Sequence, residues 1–216
     1  MKSMIEAFLS VFIPLFIIVN PSSTLALFSA ITSRYSKKER INTAKNAVRY
    51  ATILLVIFAF TGSAILEYLG IGIYSLRIAG GILLVFVGLD MTRRGRQFCE
   101  KTPGEKEKTD FALVPLAMPS LSGPGAITVT IVSMRILPDD FGISWWIAVI
   151  IAIIAIFITM IITYLIFLSS TYVIRVLGEK GMDAFTRVMG LLTVAIAVQF
   201  ILKGIMEWAP DLMKAI

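Results

Sequence analysis

Apolar residues run through this chain in long blocks, separated by short charged stretches. Six blocks can be drawn, at about 5–32, 50–66, 71–91, 111–134, 144–168 and 185–205. A helix needs roughly 20 apolar residues to cross a bilayer, and each block meets or approaches that length. The ten-residue alternating segments of a membrane β-barrel are absent. The pattern predicts an all-α, polytopic membrane protein with six transmembrane helices. The first block follows Lys2 and so invites reading as a secretion signal. It continues well beyond the short apolar core of such a signal and lacks a small-residue cleavage site, so it is expected to be a retained span.

Two of the six blocks are interrupted. The first carries Ile13-Pro14 and then Val19-Asn20-Pro21-Ser22-Ser23-Thr24. The second carries Val114-Pro115, Met118-Pro119-Ser120 and Ser122-Gly123-Pro124-Gly125-Ala126. Proline removes a backbone donor and clashes with the carbonyl one turn back, and the residue before it is pushed away from helical angles. In hydrocarbon the freed polar groups are tolerated only where protein or a polar cavity meets them. Two interrupted segments in corresponding places point to a transporter's binding site.

Charge orients the chain. The sequence is 57% hydrophobic, only 16% charged, and carries net charge +6. Of its 20 basic residues, 15 fall in the loops after the first, third and fifth blocks, counting Arg187 at the edge of the sixth. Basic residues collect on the cytoplasmic side, so both termini are expected outside the cytoplasmic membrane. Trp145, Trp146 and Trp208 fall near the outer boundary, where an aromatic belt belongs. This lipid-related distribution accounts for the positive charge without nucleic acid. There is no histidine and one cysteine, Cys99. That excludes an intrachain disulfide and a cysteine-cluster metal site, and removes the commonest general base. With no nucleotide-binding loop, the chain is expected to be neither an enzyme nor an ATPase, and to hold no cofactor or metal.

The two halves resemble each other. Residues 1–94 form one three-helix unit, 95–110 a polar cytoplasmic linker, and 111–216 a second unit of the same single membrane domain. The break at Asn20-Pro21 matches that at Gly123-Pro124. Arg77-Ile78-Ala79-Gly80 matches Arg187-Val188-Met189-Gly190. A unit with an odd number of spans returns to the membrane from the other side. The prediction is therefore a 3+3 inverted repeat containing two broken or re-entrant helices.

Three stretches carry a family resemblance: Asn20-Pro21-Ser22, the run from Ala112 to Pro119 (Ala-Leu-Val-Pro-Leu-Ala-Met-Pro), and Gly123-Pro124-Gly125-Ala126-Ile127-Thr128. Together they resemble the MarC family of integral membrane proteins, over nearly the whole chain. The resemblance implies six spans, a relation to LysE-type amino-acid exporters, and members that move small neutral amino acids such as glycine and alanine. Many members have glycine two places after the first proline; this chain has Ser23.

The breaks suggest their own chemistry. The half-helix after Pro21 offers the amides and hydroxyls of Ser22, Ser23 and Thr24; that after Pro124 offers the amides of Gly125 and Ala126. Such helix starts favour an anion. Carbonyls near Val19 and Ser122 would accept from an ammonium group, and Asn20 can do both. The set suits a zwitterion with a small side chain, because Ser22, Ser23, Ser122, Gly123, Gly125 and Ala126 allow close approach. Arg77 and Arg187, at span edges, are expected to serve structure or gating. Asp90, near the end of the third span, is a third candidate for a gating or structural charge, and Gln199 is expected to bond between helices. The reading is a secondary amino-acid transporter in the lipid bilayer. An efflux pump for hydrophobic compounds is the alternative. The coupling ion (H+ or Na+), the direction of flux and a homo-oligomeric state stay open.

Overall fold

The computed structural model describes residues 3–32, 35–94, 116–117 and 121–215. The linker at 95–110, and Pro115, Met118, Pro119 and Ser120 of the second interruption, lie outside the described residues. Seven helices follow in order: α1 Met4–Val19, α2 Pro21–Ile31, α3 Lys37–Tyr68, α4 Ile73–Arg94, α5 Pro124–Phe141, α6 Trp145–Leu168 and α7 Ser170–Ala215. No strand occurs among the described residues.

Among the described residues, five segments are long and apolar enough to span a bilayer: Met4–Ser29, Lys37–Tyr68, Ile73–Arg93, Trp145–Leu168 and Lys180–Ala209. The first covers α1 and most of α2. The predicted fourth span, 111–134, continues as α5, which runs on through Arg135, Asp139 and Asp140; its first part lies outside the described residues. Two helices extend past the spans drawn from hydropathy. Helix α3 starts at Lys37 because Ser36 and Glu39 form a reciprocal cap, so the basic stretch 37–49 is helical rather than loop. Helix α7 starts at Ser170 and breaks once, at Gly178, whose φ of 63° lies in the left-handed region that glycine enters freely.

Small residues recur where helices of the bundle pack, among larger buried side chains such as Leu55, Ile156 and Phe167. Helix α6 buries Ala148, Ala152, Ala155, Thr159 and Thr163, while Ile150, Ile154, Phe157 and Ile161 on its other side are exposed. Helix α3, which packs on α6, buries Ala44, Ala47, Ala51, Ala59 and Gly62. Lipid tails are as apolar as leucine. Close backbone approach therefore drives association here more than burial does.

The most extensive pairing is between α4 and α7, which run antiparallel. A Cβ on Gly88 would lie 2.8 Å from the Gly190 carbonyl oxygen, and one on Gly190 would lie 2.8 Å from that of Gly88. Gly81 meets the Ala197 carbonyl at 2.8 Å, and Gly204 meets that of Tyr74 at 3.0 Å. Between α2 and α6, Phe28 and Phe167 stack face to face with centroids 4.5 Å apart.

Candidate functional site

The first break is a single residue wide. Asn20 adopts φ 43° and ψ 71°, a left-handed geometry that asparagine tolerates better than most residues. Its amide closes α1 on the Phe16 carbonyl at 3.1 Å, and its carbonyl opens α2 by accepting from the Thr24 amide at 3.3 Å. Pro21 takes the first helical position of α2, where a missing N–H costs nothing. That missing N–H also leaves the Ile17 carbonyl without its usual donor.

The polar side chains around this hinge are bonded to one another and to α7. Asn20 Nδ2 donates to Ser23 Oγ at 2.7 Å. Ser23 Oγ donates to Thr186 Oγ1 at 3.2 Å, and Thr186 Oγ1 donates to the Met182 carbonyl at 2.9 Å. Each hydroxyl in this line accepts once and donates once, and Asn20, Ser23 and Thr186 are buried. Ser22 Oγ reaches Asn20 Oδ1 at 3.3 Å, and Thr24 Oγ1 donates to the Asn20 carbonyl at 3.4 Å. The polar side chains of the hinge are neutral and bonded within the protein, with Ser22 half-buried at its edge.

The second break lies between Leu121 and Pro124. The Ser122 amide and hydroxyl both reach the Ala117 carbonyl, at 2.9 and 2.8 Å. Gly123 is extended and supplies no side-chain cap, and Pro124 opens α5. Leu116, Ala117, Leu121 and Ser122 are fully buried.

The two breaks meet. A Cβ on Gly125 would lie 3.1 Å from Ile18, two residues before Asn20, and 2.4 Å from Leu84 at the middle of α4. One turn along α5, Thr128 presses on Gly80, with 2.1 Å to a Cβ placed there. Ala126, which follows Gly125 in α5, is buried. The last turn of α1 is thus set against the first turn of α5 with Leu84 of α4 alongside, and Thr186 joins the Asn20 hinge to α7. Thr186 was not singled out from the sequence, although it directly precedes Arg187, which was. A lone hydroxyl on an apolar helix carries no signal until its partner is known.

The charged candidates sit elsewhere. Arg77 is buried and pairs with Glu207 of α7, whose side chain is 41% exposed. Arg187 is exposed. It pairs with Asp183 at 2.8 Å and donates to the Thr92 carbonyl of α4 at 3.1 Å. The two arginines therefore tie the α4–α7 pair together near its opposite ends, Arg187 directly after the Thr186 that bonds Ser23. Asp90 is half-buried in the last part of α4. Gln199, expected to bond between helices, makes no hydrogen bond among the described residues and is exposed on α7. No three histidine, cysteine or acidic side chains converge among the described residues.

Comparison with known proteins matches residues 5–209 to the profile of the MarC family integral membrane protein. A UPF0056 membrane protein of Methanocaldococcus jannaschii is 40% identical over 93% of this chain and 97% of its own. One from Archaeoglobus fulgidus is 35% identical over 93% and 92%. The UPF0056 inner membrane protein MarC of Escherichia coli is 31% identical over 88% of this chain and 90% of its own. No solved structure matches the chain. A match spanning nearly every helix, together with the apolar, multi-pass architecture, makes this chain a member of the MarC family of integral membrane proteins.

Proposed function

We propose that this protein is a secondary transporter of small neutral amino acids, taking its substrate where the two broken segments meet. The observation that carries the reading is the contact of the Asn20 hinge with the start of α5, through Ile18 and Gly125. At each break helix amides and helix carbonyls end within the bundle. The first group suits a carboxylate and the second an ammonium. No full charge stands at either break, as a zwitterion prefers, and the close packing leaves room only for a small side chain.

The helix pairings fit an inverted repeat of two units. Helix α2 packs on α6 and α7, and α5, its counterpart, packs on α3 and α4 as well as on α1 and α6. In the arrangement described, Ser22, Ser23, Thr24 and Ser122 all bond within the protein. Admitting a substrate exchanges these bonds for bonds to the ligand. The Ser23–Thr186 bond, the one that crosses to α7, opens with relative motion of the two units. An efflux pump for bulky hydrophobic compounds would need a roomier meeting point than Gly125 leaves.

Reconstituted flux tests this. Labelled glycine and alanine are expected to cross vesicles holding the protein, and Asn20→Leu and Gly123→Leu are expected to stop that flux while the protein still folds. Absence of binding and flux for both amino acids would defeat the substrate assignment. Unchanged flux in both variants would defeat the site.

A further inference from the structure

Helix α7 has two opposite faces. One carries Gly190, Thr193, Ala197 and Gly204 and is taken up by α4. The other carries Val188, Leu192, Ala195, Gln199, Leu202 and Met206, spaced alternately four and three residues apart, and every one of them is exposed. An exposed apolar stripe is what any lipid-facing helix shows. The amide within it is not. Among the described residues Gln199 makes no hydrogen bond, and it lies deep. Trp208, nine residues on, is about 14 Å toward one boundary, and Arg187, twelve residues back, is about 18 Å toward the other. Both offsets fall within a hydrocarbon core about 30 Å thick. A polar side chain at that depth faces the bundle interior or a partner, since lipid tails offer it neither donor nor acceptor.

We propose that this face of α7 pairs with the same face of a second copy, with Gln199 bonded to its own equivalent across the interface. Copies inserted in one membrane share orientation, so a two-fold axis along the membrane normal sets equivalent residues at equal depth. A carboxamide both donates and accepts, so it is complementary to itself. The four–three spacing is that of a seam between two parallel helices, and one polar residue in such a seam fixes its register. Ala195, one turn before Gln199, lets the helices approach.

Purified protein with Cys99→Ser, reconstituted in liposomes, tests the pairing. Ala195→Cys is expected to give an oxidised dimer. Val198→Cys, about a quarter-turn off the stripe, is expected to give at least tenfold less. Labelled copies should show energy transfer that persists on lipid dilution, and Gln199→Leu should weaken the association several-fold. Equal cross-linking at the two positions, a monomer at all dilutions, or an unchanged dimer in Gln199→Leu would each overturn the proposal. The cross-linking arm keeps Gln199 intact, so a folding defect in the glutamine variant cannot decide the outcome.

Discussion

A guanidinium 5% exposed inside an otherwise apolar bundle needs a counter-charge, and Arg77 finds it in Glu207. Removing one partner of such a pair leaves an uncompensated charge, while removing both leaves an apolar contact. Glu207 is partly open to solvent, which moderates the cost. Glu207→Leu is expected to destabilise by about 1–2 kcal/mol, and Arg77→Leu combined with Glu207→Leu by less than either change alone. Thermal unfolding in detergent, run as a double-mutant cycle, measures this. Additive losses would mean the pair contributes no coupling. Arg77 was legible in the sequence because a charge in a span stands out. Glu207 was not, because an acid near a helix end reads as interfacial. Asn20 was legible through Pro21 beside it, yet the left-handed turn at Asn20, rather than Pro21 alone, makes the break. The bond from Ser23 to Thr186 joins residues 163 apart in sequence, and no local pattern announces it.

At the scale of elements, the α4–α7 seam depends on having no side chain at its contacts. A Cβ at Gly88 would meet the Gly190 carbonyl at 2.8 Å and Val194 Cγ2 at 2.7 Å. The carbonyl belongs to the opposing backbone and cannot rotate aside. Gly88→Val is expected to force the helices apart at a cost of about 1–3 kcal/mol or more. The Cβ of Gly72→Ala meets only the Tyr74 ring, which can swing away, so this variant should melt near the wild type. Similar loss in both would show that the seam is not what the substitution disturbs. The apolar blocks located these helices well, but their ends less so. Hydropathy marks where the membrane stops, whereas the reciprocal Ser36–Glu39 cap marks where α3 starts. Helix α7 likewise extends beyond its block, over Ser170 to Ala184.

For the molecule as a whole, the distribution of basic residues sets orientation. Tyr68, 91% exposed after the second span, and Lys38, exposed near the start of α3, should face opposite compartments. In a Cys99→Ser background, a membrane-impermeant maleimide is expected to label Tyr68→Cys in intact cells, and Lys38→Cys only after permeabilisation. The reverse pattern would invert the topology. The meeting of the two breaks is the part of the molecule that sequence could only suggest: matched interruptions fix a comparable depth, but contact between them depends on how α1, α4 and α5 cross. Proline and glycine mark where a helix stops; the packing of Ile18 and Leu84 on Gly125 decides what lies next to the stop.

Gly178 divides α7 into a short arm and a long rod, and a single residue, Ser169, joins that arm to α6. The rod holds Thr186, both arginine contacts with α4, and the outward stripe with Gln199. Were the rod to tilt, the swivel of least resistance would be the glycine, whose backbone meets little steric hindrance to rotation. Force applied at the Asn20 hinge would then reach the outward stripe along one stiff lever, while α6 stays still.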